Sequence, residues 1–277
     1  MENTNDSNDY TITRTGVATY GDVHLVVILY QKDIRVCPSV SNNASKVFKV
    51  MFGPHFAEGQ NLDSHDPKDV LMSEDNAKAL EVIYNIMHVR KDAVPHSFSP
   101  KDIFEIATAA DKFDCVVALR YGSAIWLSPK GVEDILKLGC LMAVSYILDD
   151  AQASGDITVS RMLHHQGSYL ALADQVIGLT DWVPWKVFYL LEERRNRMRT
   201  ELQHILFNGS TDAGMDESIS CTCAWGAVHS LAHTKLLQYE DLRPLQVLYV
   251  TVSKIVEKMD QMRDSLMPKQ WELCDYR

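Results

Sequence analysis

Long apolar runs are missing from this chain: no stretch reaches the about 18 consecutive apolar residues that a bilayer-spanning helix needs, so no membrane span is expected. The opening residues, MENTNDSNDYT, carry neither a basic segment nor an apolar core, and no secretory signal is expected. Glycine-rich phosphate loops, a GxGxxG turn and a GxSxG elbow are all absent, so the chain is read as non-enzymatic. Positive charge is in short supply. Lys and Arg number 27 against 37 Asp and Glu, a net charge of -10, which argues against a nucleic-acid binder, whose affinity comes from clustered cations. Cysteines stand at 37, 115, 140, 221, 223 and 274 with no regular spacing. Without an export signal they do not read as a disulfide framework, and an intracellular location, nucleus or cytoplasm, is expected.

What is present is an ordinary globular composition, 46% apolar and 23% charged. Residues 1–17 read as a disordered lead-in. DVHLVVILY (22–30) has the β-branched, nearly continuous apolarity of a strand buried on both faces, and QKD turns it back into IRV (34–36) as a hairpin. From Ser45 to Phe52 the run is helical, with Ser41 or Asn42 available as cap and Gly53-Pro54 as stop. DVLMSED (69–75) reads as a short strand. Two amphipathic helices follow, one after an Asp75 cap and one opened by Ser99-Pro100. After residue 125 strand signals fade, and helices are predicted over about 130–150, 157–177, 185–207, 219–238 and 244–266. The last carries Leu245, Leu248, Val252, Ile255, Met259, Met262 and Leu266 in a three-four alternation, which fits a long helix packed on its own domain or a dimerising coiled coil.

Taken in order, Asp22 before an apolar strand, the hairpin, Ser45-x-Val47-Phe48, Met51-Phe52, the DNAKALEVIYNIMH helix and Ala110 to Asp114 resemble the BTB/POZ domain, in the version abundant in filamentous fungi. The resemblance covers residues 20 to about 122. It implies an α+β architecture: a BTB/POZ fold over 18–125, a small sheet packed on a helical cluster, followed by an all-α C-terminal region over 126–277. It implies protein partners, with self-association as a homodimer or binding of another protein through the BTB surface, and it offers TITRTGVATY (11–20) as the N-terminal strand by which many such domains exchange edges. Asp22 is the residue such domains place in a charged pocket at the dimer interface, but the basic partner expected after the second strand is replaced here by Cys37 and Pro38. In members that recruit cullin-3, a hydrophobic-x-Glu tripeptide follows the Met-Phe, and Phe56-Ala57-Glu58 fits it. That makes a substrate adaptor of a cullin-3 ubiquitin ligase the narrower reading.

No cofactor is expected. The one metal-like constellation is Cys221 and Cys223 with His229 and His233, donors for a structural zinc in a helical domain. Its spacing is not that of a standard finger, and buried cysteines commonly act as small apolar side chains. EERRNRMR (192–199), the one basic cluster, reads as a solvated helix face with ion pairs at i and i+4.

Overall fold

The computed structural model describes residues 13–132, 134–175, 178–212 and 225–263, with the backbone alone described at 121, 208–212, 225–230 and 263. The chain is α+β and divides into two compact units, Met1–Ile157 and Thr158–Arg277. Among the described residues no helix is long and apolar enough to cross a membrane.

The first unit contains a four-stranded sheet in the order β1-β3-β2-β4. β1 (Thr13–Gly16) lies parallel to β3 (Lys32–Val36), β2 (Val23–Val27) runs antiparallel to β3, and β4 (Lys68–Leu71) runs parallel to β2. Residues 13–16 thus form an edge strand inside the segment read from sequence as a disordered lead-in. The hairpin is tighter than the apolar run suggests. β2 stops at Val27, Ile28–Tyr30 form a single 3-10 turn, and Gln31 takes a left-handed φ of 49° to reverse the chain. Nor is β2 buried on both faces: Val23, Leu25 and Val27 are fully buried, whereas His24 and Val26 are half-buried on the opposite face. That alternation is the period-2 signature of a sheet with one face in the core.

Helices α1 (Pro38–Ala44), α2 (Lys46–Met51), α3 (Ala77–Met87), α4 (Pro100–Lys112), α5 (Val116–Trp126) and α6 (Ile135–Ile147) complete this unit, with the start of α7 (Ala151–His164). Ser41 and Asn42, read from sequence as caps, lie inside α1, opened by Pro38 at its first turn, and the next helix is capped instead by Ser45, whose hydroxyl accepts the Phe48 N–H at 2.9 Å. Likewise Asn76 rather than Asp75 caps α3, while Ser99 and Asp102 close a capping box on α4. Phe48 stands at the centre of the core. Its ring stacks on Phe113 at 4.7 Å and meets Tyr84 at 5.3 Å and Phe52 at 5.9 Å. Cys115 is also fully buried, and burial pushes its thiol up to about 12, so it serves as a small apolar side chain. Helix α6 packs along α4, and residues 126–157 cluster with the first unit.

His88, following α3, joins two parts of this core. Its Nε2 accepts the Cys37 N–H at 3.1 Å, and its Nδ1 lies 2.9 Å from the Tyr84 carbonyl, which fixes a neutral ring protonated on Nδ1. Burial pulls this imidazole below its ordinary value of 6.5. As pH falls below 6.5 the unfolded chain takes up the proton first, so the stability contributed by His88 is present above that value and is lost as pH falls through it. Urea unfolding of the full chain between about pH 7.5 and pH 5 should show this decline, and His88→Ala should lower stability at the upper end and flatten the slope.

The second unit is helical: the end of α7, then α8 (Tyr169–Gln175), α9 (Leu179–Trp182), α10 (Trp185–Asp212), α11 (Trp225–Tyr239), α12 (Pro244–Val247) and α13 (Val252–Arg263). Leu206, Leu237, Leu242, Val247 and Ile255 form its buried cluster, flanked by Leu202, Val250, Met259 and Met262. The predicted continuous helix over 244–266 is broken between Val247 and Val252, which removes an unbroken coiled-coil seam; Leu245 is 73% exposed. The break is sustained by side chains from elsewhere. Arg199 Nη2 donates to the carbonyl of Val250 at 2.9 Å, and Gln166 donates to that of Tyr249, satisfying main-chain acceptors that a helix would have used.

EERRNRMR is therefore only half solvated. Arg195 and Arg199 are 2% and 5% exposed. Arg195 bonds Glu192 at 2.5 Å, donates to the carbonyls of His165 and Gly167, and lies over the Tyr169 ring at 4.6 Å. The Tyr169 hydroxyl in turn donates to the Arg161 carbonyl at 2.9 Å.

Candidate protein-docking surface

Helix α2 is apolar around much of its circumference, and only one side of it can face the core. Phe48 points inward and is fully buried; Val47 and Val50 lie on the other side, 38% and 57% exposed. The helix ends where the Gly53 N–H tightens onto Val50 O at 3.0 Å and Pro54, with no N–H to donate, turns the chain away. The turn that follows brings Phe56 back beside α2, 49% exposed, and then forms a single 3-10 turn over Ala57–Gly59. Lys46, Val47, Val50, Met51, Phe56 and Glu58 together line a groove of about 600 Å³. Its floor is apolar, with a cation from the start of α2 and the Glu58 carboxylate on its rim.

The turn is anchored. Lys68, from β4, donates to the carbonyl of Ala57 and to that of Gln60 at 3.2 Å, and Gln60 Nε2 donates to Pro54 O at 3.3 Å. Gly59 passes so close to the preceding chain that a Cβ there would lie 2.2 Å from the Gly53 oxygen and 2.3 Å from the Phe52 carbonyl carbon. Main-chain atoms yield little, so Gly59→Ala should cost about 1–3 kcal/mol and displace Phe56 and Glu58. Urea unfolding checks the first effect. Changed proteolysis of the 53–60 turn, with the rest of the chain protected, checks the second.

Of the three residues singled out in sequence, Phe56 and Glu58 line this groove, and Ala57 lies between them on the exposed turn. Glu58 is half-buried and makes no ion pair with a described residue. Lys46 reaches Asp114 at 3.7 Å, but both side chains are mostly exposed and such a pair contributes little. What sequence reasoning missed is the other half of the groove. Val47, Val50 and Met51 sit among apolar neighbours, and the available signal is that on a six-residue helix whose Phe48 enters the core so broad an apolar arc leaves some side chains outside.

Asp22 does not belong to this surface. It is half-buried at the start of β2, where its carbonyl accepts the Lys68 N–H at 3.0 Å, and it makes no ion pair with a described residue. The charge on the sheet is centred instead on Asp33 of β3, 5% exposed, bonded to His24 Nδ1 at 2.6 Å and 3.3 Å from Arg14 Nε. These three side chains, with Val26, Pro67 and Asp69, line a smaller pocket of about 260 Å³. β1 is held on β3 by their parallel ladder, and the exposed Arg14 side chain adds little to it.

Of the zinc constellation, Cys221 and Cys223 lie outside the described residues, as does the side chain of His229; His233 is half-buried on α11. Among the described residues no group of three or more His, Cys, Asp and Glu could hold a metal ion. No protein-family model and no curated protein matches the chain.

Proposed function

We propose that this chain is a protein-interaction module whose first unit is a BTB/POZ-like domain, and that the groove between α2 and the 53–60 turn is a surface through which it binds a protein partner. The observation that carries this reading is the contiguous apolar patch of Val47, Val50 and Phe56, held open by anchored main chain and edged by Lys46 and by Glu58, which pairs with no described residue. Isolated exposed apolar residues are ordinary on protein surfaces, but a joined apolar floor with a charged rim is the anatomy of an interface centre. An aromatic anchor beside a carboxylate supplies both affinity and orientation.

The narrower reading is a substrate adaptor of a cullin-3 ubiquitin ligase. The feature in its favour is that Phe56-Ala57-Glu58 occupies an exposed turn with the aromatic ring outward. Calorimetric titration with the cullin-3 N-terminal domain tests it directly. On this reading the wild-type chain binds, and Phe56→Ala and Glu58→Lys each weaken binding by about tenfold or more with unchanged unfolding midpoints. No heat with the wild type at concentrations up to about 100 μM removes the adaptor reading and leaves the interaction module with another partner.

A further inference from the structure

A second groove, in the second unit and independent of the one above, is lined by Met162 and Leu163 of α7, Met198 and Leu202 of α10, and Val252 and Val256 of α13. It also measures about 600 Å³, and Arg194, Arg197 and Glu201 complete its lining. Along α10 the lining residues run from 194 to 202, about 12 Å of helix axis, or a little over two turns. The floor is therefore a trough between helices, of the length that one helix presents with apolar side chains at i, i+3, i+4 and i+7.

Charge decides the kind of helix. Arg194 is exposed and makes no ion pair with a described residue, and Arg197 meets Glu201 at only 3.7 Å with side chains 81% and 67% exposed, a pair that a better acceptor displaces. These guanidinium groups stand on a protein whose net charge is -10. A carboxylate-bearing partner is repelled by most of this molecule and drawn to this rim. Two methionines in the floor add side chains that adapt to different apolar partners.

We infer that the α7–α10–α13 groove is a docking site for an amphipathic helix with acidic flanks, its apolar face on Met162, Met198, Leu202 and Val256 and its carboxylates on Arg194 and Arg197.

The test uses the full chain and two fluorescein-labelled synthetic peptides of about 16 residues, with leucine at i, i+3, i+4 and i+7 and either glutamate or lysine at the flanking positions, read by fluorescence anisotropy. The glutamate peptide should bind at least about tenfold more tightly than its lysine twin, and the double variant Arg194→Glu/Arg197→Glu should reverse that order. Both arginines are exposed, so this variant should keep its unfolding midpoint. Met198→Asp should abolish binding of the glutamate peptide. Equal binding of the two peptides, an order unchanged by charge reversal, or no binding up to about 1 mM would overturn the inference. So would sedimentation equilibrium showing that the chain dimerises and that Met198→Asp makes it monomeric, because a second copy would then be the occupant.

Discussion

Phe48→Ala should lower the stability of the first unit by about 3–5 kcal/mol, the largest effect expected of any single side chain in it. The ring is fully buried, and it stacks on Phe113, Tyr84 and Phe52, which come from the end of α4, from α3 and from the end of α2. Truncation removes the transfer free energy of the ring, leaves a cavity where those elements meet, and forfeits aromatic contacts worth about 0.5–1.5 kcal/mol each. A domain stable by about 5–15 kcal/mol loses much of its margin. The companion substitution is Val50→Ala on the same short helix, 57% exposed, which should change stability by no more than about 0.5 kcal/mol. Urea unfolding of both variants measures the two faces of α2. Similar effects from both would show that the division of this helix into a core face and an outer face is wrong.

Arg195→Ala should cost about 3 kcal/mol or more in the second unit. Its guanidinium is 3% exposed and serves Glu192, the carbonyls of His165 and Gly167, and the face of Tyr169 at once. Alanine leaves Glu192 without its cation and two main-chain acceptors without donors, and removing one member of such a network costs far more than a surface pair is worth. Arg194→Ala, one residue earlier and exposed, should shift stability by about 0.5 kcal/mol or less. Thermal unfolding of the pair distinguishes a buried arginine network from the solvated basic face that the sequence suggests.

The difference between those neighbouring arginines shows where the sequence is readable. Patterns that depend on a few adjacent residues came through: a strand within 22–30 and another at the start of 69–75, both longer in the sequence reading than β2 and β4, with the hairpin, the Ser99-Pro100 helix start and the apolar stripes of α3 and α4. The break between α12 and α13 was not, because an unbroken three-four alternation is compatible with it and its support comes from Arg199 and Gln166, some 50 and 83 residues away in sequence. β1 was anticipated only through the family resemblance, which offers an N-terminal strand within 11–20; TRTG itself has no strong strand composition and becomes a strand through parallel pairing with β3. At the candidate surface, Phe56 to Glu58 stood out as an exposed-looking turn, whereas Val47 and Val50 were hidden among apolar neighbours, since composition alone does not say which side of a short helix meets the core.

The central claim is that the α2 groove receives a protein. Site-specific photo-crosslinking tests it most directly: a benzophenone amino acid placed at Val50 of the full chain, with a matched one at Val117, an apolar position 77% exposed on α5, exposed to an extract of the source cells. The account predicts that Val50 captures a discrete protein, identified by mass spectrometry, that Val117 does not, and that capture is lost when Glu58→Lys is added. The same products from both positions, or capture indifferent to Glu58→Lys, would contradict it.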